Sequence, residues 1–158
     1  MEKNLEKLFE SIFKESFEGK KIQDRYKYDD LEISVEFKKG SYRSGTDRTG
    51  KEWKRKMYCD YGYILKTKSS DGEHLDCYVK NKGKATNKVY IIKQMVPSTG
   101  KFDENKVMLG FNNREDAIKA YKAHYDSSKY FGGCITMSLD DFKDYIFDKK
   151  NQGKQIKK

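Results

Sequence analysis

Asp60-Tyr61-Gly62-Tyr63-Ile64 and Asp71-Gly72-Glu73-His74-Leu75-Asp76-Cys77-Tyr78-Val79 are two short strand-like segments, and the second opens on three carboxylates within six residues. Gly72 lets the chain turn tightly between them, so that Asp71, Glu73 and Asp76 can converge. Closely spaced oxygen donors suit a hard cation such as Mg2+ or Mn2+. Asp76 opens a strand and is therefore held by a rigid element. On local composition alone, the first reading is an Asp-Gly turn joining two strands, with surface acids.

Outward from this stretch the chain reads as strands first and helices late. Leu31-Glu32-Ile33-Ser34-Val35-Glu36-Phe37 alternates strictly, which predicts a half-buried strand with Glu36 on the face opposite Val35 and Phe37. Further strands are expected over 53–57, 61–65, 76–79, 88–96, 106–111 and 134–137. Lys39-Gly40-Ser41 and the span from Gly45 to Gly50 read as turns. Asn113 caps a predicted helix with Ala117, Ile118, Ala120, Tyr121 and Tyr125 on one face. Ser138 caps a closing helix with Leu139, Phe142, Tyr145 and Ile146 inward. An amphipathic helix is expected over 4–18, followed by a polar link through Tyr28. The order predicts an α+β fold. It would be a small OB-like, closed or nearly closed antiparallel β-barrel flanked by two helices of the C-terminal half, plus the N-terminal helix. The expected divisions are 1–30 for helix and link, 31–148 for the domain and 149–158 for a basic, frayed tail.

Apolar residues make up 35% of the 158 and charged residues 37%, so the core is small and must be filled by twelve Tyr, nine Phe and one Trp. The net charge of +9 favours anionic partners, among them phosphate esters and nucleic acid, although the lysine runs read first as solvated surface. Cys59, Cys77 and Cys134 form no metal-ligand spacing and point to a reducing cytosol, hence a cytoplasmic protein. With only His74 and His124, a histidine-rich zinc site is not expected; His74 reads as a loop residue and His124 as a cation at a helix end. No apolar run is long enough to span a bilayer, so no membrane partner is expected.

The order Glu36-Phe37-Lys38-Lys39-Gly40-Ser41, then Tyr61-Gly62-Tyr63-Ile64, then Asp71-Gly72-Glu73-His74-Leu75-Asp76 resembles family I soluble inorganic pyrophosphatases. The resemblance is closer to a shortened phage and prophage pyrophosphatase-like domain. It is carried by Lys39 to Asp47, Trp53, Met57, Lys101 to Phe111, and Met137 to Lys143. It implies a metal-dependent hydrolase that cleaves pyrophosphate, or a related nucleotide phosphoanhydride, with Mg2+ as cofactor and Mn2+ as the alternative. Carried over position by position, Asp71, Asp76 and Asp103 or Glu104 would hold metal, and Glu73 would orient or deprotonate water. Tyr61 would line the site as a catalytic residue, with Glu36 at its rim. Lys39, Arg43, Lys54 or Arg55, and Lys106 would bind phosphate. The chain departs from the family where Met57 replaces a tyrosine, where His74 replaces the proline of the signature, and where one acid before Asp103 is missing. The alternative is a catalytically weak or inactive binding module of phage origin, engaging nucleic acid or a host protein. Oligomeric state is left open, a homo-oligomer included.

Overall fold

Strands that are apolar on both alternating faces must be covered on both. Cys77, Val79, Ile91, Val107 and Leu109 are buried in one apolar cluster, and their neighbours Tyr78, Tyr90, Ile92 and Met108 in another. In the computed structural model, which describes residues 22–47 and 49–158, these two clusters lie on opposite sides of one sheet. The elements are β1 (Asp24–Tyr28), β2 (Leu31–Phe37), β3 (Tyr42–Thr46), β4 (Glu52–Lys56), β5 (Asp60–Ile64), β6 (Leu75–Val79), β7 (Lys88–Met95) and β8 (Phe102–Leu109), followed by α1 (Arg114–Ala123), β9 (Phe131–Ser138) and α2 (Leu139–Phe147). The helix expected over 4–18 lies outside the described residues.

Seven strands form the sheet in the order β1-β2-β5-β6-β8-β7-β9, and β3 with β4 forms a separate hairpin. The fold is α+β, as expected, but no ladder joins β1 to β9 among the described residues, so no closed barrel forms. The physical reason is the burial of both faces. A barrel has one interior, whereas this sheet carries α2 (Phe142, Ile146) on one side and α1 (Ala117, Tyr121) on the other. Nor is the sheet wholly antiparallel. β8 inserts between β6 and β7 and runs parallel to β6, which sets Asp76 beside Lys106.

Three local departures from the sequence expectations shape the site. A bulge at Glu36 breaks the alternation of β2, so Val35 pairs with Gly62 while Phe37 pairs with Tyr61. The extra residue sends Phe37 to the cluster opposite that of Val35. Second, Asp24–Tyr28 is an edge strand rather than a link, with Tyr28 fully buried and its hydroxyl accepting from the Thr86 N–H at 2.9 Å. Third, the tail is packed. Ile156 is buried in the α2-side cluster, its N–H donates to Asn105 Oδ1 at 2.9 Å, and the Gly153 N–H donates to the Lys68 carbonyl. The tail thereby ties the loop before Asp71 to the strand that carries Glu104 and Lys106.

Gly62 is fixed by space. A Cβ there would lie 1.8 Å from the Ser34 carbonyl oxygen of β2. Gly62→Ala should therefore cost about 1–3 kcal/mol or more through overpacking, read as a lower urea midpoint with unchanged slope. Ile156→Ala should cost about 2–5 kcal/mol, as for a core aliphatic; a loss under ~0.5 kcal/mol would mean a frayed tail.

Candidate active site

The α1-side face of the sheet carries its polar groups at one end. Tyr61 on β5, Asp76 on β6 and Lys106 on β8 are neighbours by register, because Tyr61 pairs with Tyr78 and Asp76 with Lys106. Lys106 is 3% exposed. Its ammonium donates to Tyr61 Oη at 2.6 Å and Asp76 Oδ2 at 2.7 Å, and lies 3.3 Å from Glu104 Oε2. The Tyr61 hydroxyl in turn donates to Asp76 Oδ2 at 3.0 Å. The ammonium thus makes two hydrogen bonds and one further ion-pair contact with protein partners.

Burial alone would discharge Lys106, but Tyr61, Asp76 and Glu104 overcome it and hold the ammonium charged. Burial raises the Asp76 carboxyl, yet the charge and hydrogen bond of Lys106 win and keep it below its ordinary value. Glu104 goes the other way. Burial and the neighbouring charges of Asp76 and Asp103, opposed by Lys106, leave it pushed up to about 7. Burial, then the charge of Asp76, keeps the Tyr61 hydroxyl protonated far above its ordinary value.

The β3–β4 hairpin covers this cluster. Its residues alternate between exposed and half-buried, with Arg43, Trp53 and Arg55 inward. The Arg43 guanidinium lies 4.8 Å from the Tyr61 ring centre, 5.7 Å from Phe37 and 5.9 Å from Trp53. Arg55 lies 4.6 Å from Trp53 and 5.1 Å from Tyr125, and donates to the His124 carbonyl. Tyr125 Oη is 2.9 Å from Tyr78 Oη. Tyr121 donates to Gln94 Oε1 at 2.7 Å, and the Gln94 amide donates to Asp103 Oδ2 at 3.1 Å.

Of the residues expected from sequence, the structure brings together Tyr61, Asp76, Glu104, Lys106 and Arg43, with Arg55 beside them. Lys54 is on the outer face of the hairpin, its ammonium over the Tyr42 ring, so the alternation selects Arg55 over Lys54. Lys39 is exposed, and its backbone N–H donates to Asp60 Oδ1. Asp71 is turned into its own loop, where Oδ1 accepts from the Ser69 hydroxyl and the Glu73 N–H. Glu73 is exposed on that loop. Glu36 occupies the β2 bulge. Gln94 and Tyr78 carry no motif, and only the cross-strand register places them here; Trp53 carried the resemblance without a role in the site.

A tyrosine, a carboxylate and a lysine on adjacent strands under two arginines are what a phosphate site needs. The family model described as Inorganic Pyrophosphatase matches residues 13–147. The chain belongs to the inorganic pyrophosphatase family. That match covers most of the chain, β1 included. Among solved structures, the chain is similar to an inorganic phosphatase from Anaplasma phagocytophilum, with 15% identity over 77% of this chain and 90% of the other, and a TM-score of 0.47. No curated protein matches.

The divalent cation typical of the family requires converging oxygen donors. No three His, Cys, Asp or Glu side chains converge as a cage among the described residues. Asp76 and Glu104 do offer carboxylates to one cation, 23% and 18% exposed. Mg2+ is commonly held by one or two carboxylates plus substrate phosphate and water. The pair therefore fits an ion that shares its coordination with a phosphate.

His124 is a buried cap of α1, not an exposed cation. Nε2 accepts from the Tyr58 N–H at 2.9 Å, which requires a neutral ring, and leaves Nδ1 to donate to the Ala120 carbonyl at 2.7 Å. Burial first, then Arg55 and Arg43, lowers its pKa below 6.5. The unfolded chain then binds the extra proton, so stability is full above about pH 6.5 and is lost as pH falls toward the folded pKa. The His124 contribution should approach about 1.4 kcal/mol per pH unit, opposed by Glu104, whose raised pKa stabilises the fold as pH falls through about 7, so the parent is compared with the His124 variant. Urea midpoints from pH 7.5 to 5 check this, and His124→Gln should flatten the slope.

Proposed function

We propose that this chain hydrolyses pyrophosphate to two phosphates with the help of a divalent cation, Mg2+ or alternatively Mn2+. The observation that carries the reading is the Tyr61–Asp76–Lys106–Glu104 cluster lying under Arg43 and Arg55. Family membership supports the same reaction. Asp76 and Glu104 would hold the cation, with Asp71 and Asp103 drawn in as the resemblance implies. The cation, when bound, lowers the pKa of a water and offsets charge on the leaving phosphate. Phosphoryl transfer is otherwise mostly positioning and electrostatics. Arg43 and Arg55 would supply planar, permanently charged donors to phosphate oxygens, with aromatic rings packed within 5.7 Å of the Arg43 guanidinium and 4.6 Å of that of Arg55. Tyr61 is oriented by Asp76 and Lys106, so its hydroxyl is aimed before substrate arrives. Glu73 remains the candidate for placing water on the strength of the resemblance.

The stretches over 39–47 and 101–111 also support assignment to the phage and prophage branch, working in a host cytosol. Among the described residues, no helix is long and apolar enough to cross a membrane. A nucleotide phosphoanhydride is the neighbouring substrate, since the same charges would serve it. The second reading, phosphate binding without turnover, is favoured by one observation: Asp71 and Glu73 stay with their own loop.

Phosphate release from pyrophosphate with Mg2+ tests the proposal. Asp76→Asn should cut it about a hundredfold, roughly 2.7 kcal/mol of transition-state stabilisation, with circular dichroism unchanged. Undiminished release in that variant, or none from the folded parent, would sink it.

A further inference from the structure

The tail and the acidic loop meet on the side of the sheet away from the site. Within the loop 65–74, the Thr67 hydroxyl donates to the Ile64 carbonyl and accepts from the Leu75 N–H, which closes the base of the loop. Ser69 is buried; its N–H donates to the Glu73 carbonyl, its carbonyl accepts from the Gly72 N–H, and its hydroxyl donates to Asp71. This small turn carries both loop acids, and the Gly153 N–H fastens it from outside at 2.9 Å from the Lys68 carbonyl. Three residues on, Ile156 is buried and its N–H donates to Asn105 Oδ1 at 2.9 Å. Asn151 and Lys157 bond to Tyr145 of α2 on either side of these two anchors. Asn105 lies between Glu104 and Lys106 on β8, and strand alternation turns it to the opposite face, that of Val107 and Leu109. Its amide also donates to the Ile92 carbonyl of β7 at 3.3 Å. Thr67, Lys68, Ser69, Asn105, Lys154 and Ile156 line one small cavity where loop, strand and tail come together.

We infer that residues 151–157 form a strap that sets the Asp71 loop against the strand of Glu104, and that Gly153 and Asn105 are positioning residues for the site. The inference rests on the proposed function for the role of Asp71 toward a cation. A loop that brings a carboxylate to a ligand loses conformational entropy for every residue it orders at that moment. The strap lowers that cost in advance, because the tail that holds Lys68 also holds Asn105, one residue from Glu104 and one from Lys106. It grips from the α2 side and leaves the α1 side to the ligand. Packing alone would place an aliphatic at 105, as it does at Val107 and Leu109. The buried amide instead answers the Ile156 N–H, so its polarity serves the strap.

Hydrogen exchange and Mn2+ binding on the full chain test it. In the parent, the Gly153 and Ile156 amides should open together with those of Ser69, Gly72 and Glu73, with one shared urea dependence. A tail that exchanges independently of the loop would overturn the strap. Gly153→Pro removes the N–H and cannot hold the φ of +76° found there. Gly153→Asn keeps the N–H and tolerates that φ. The proline variant should exchange its loop amides at least about tenfold faster, while the asparagine variant stays near the parent. Mn2+ binding is read, without turnover, as loss of the free-ion EPR signal in the presence of inorganic phosphate. The proline variant should bind Mn2+ at least about fivefold more weakly. Unchanged Mn2+ affinity, equal effects of proline and asparagine, or a parent that takes up no Mn2+ would each overturn the inference. Phosphate release from pyrophosphate, measured on the same samples, separates the two claims. Turnover with Mn2+ affinity unchanged in the proline variant removes the strap and leaves the hydrolase; weakened Mn2+ binding with no turnover in the parent does the reverse.

Discussion

A buried ammonium is the constraint on which this molecule is built. Taking a lysine out of water costs several kcal/mol unless opposite charge meets it in the same place. Lys106 satisfies that demand only because β8 lies parallel to β6 in the register that puts Asp76 beside it, and because Tyr61 comes in from β5. A slip of one residue would present Cys77 or Val107 instead and turn every apolar side chain of the strand to the wrong face. The polar cluster and the two apolar layers therefore specify one another. Gly62 belongs to the same constraint, since β2 approaches β5 too closely there for any side chain.

The aromatic residues serve two purposes at once. Tyr61, Tyr78 and Tyr121 fill the α1-side core in place of aliphatics, and Tyr61 and Tyr125 also present ring faces to the guanidiniums. Ring faces attract cations without consuming their N–H donors. That is how two arginines are held close to a buried lysine without recruiting more acids.

Much of this was legible in the chain itself. The two helices begin where their caps predicted, with Asn113 accepting from the Asp116 N–H and Ser138 from the Asp141 N–H. Six strands of the sheet follow the runs of alternating or apolar residues that announced them. Tyr61, Asp76 and Lys106 were legible because a motif spaces them. The rest depended on long-range geometry. β1 was hidden because Arg25 and Lys27 alternate with half-buried neighbours and dilute the apolar pattern. β3 was hidden between two turn expectations, 39–41 and 45–50, the second opening on Gly45, which packs against the Trp53 ring. The bulge at Glu36 leaves no mark in a strictly alternating sequence, and Ile156 looked like part of a lysine tail. Choosing between Lys54 and Arg55 required the hairpin register, which no linear spacing contains.

The chain has a single tryptophan, Trp53, whose ring centre lies 5.9 Å from the Arg43 guanidinium and 4.6 Å from that of Arg55. An indole excited state is sensitive to nearby charge, so anything that displaces or neutralises Arg43 or Arg55 alters the light it emits. With no second indole to mask the signal, the intrinsic fluorescence of the unlabelled protein reports on this one spot. The molecule thus carries an optical probe at the mouth of its own site, readable in a stopped-flow instrument on the timescale of ligand entry.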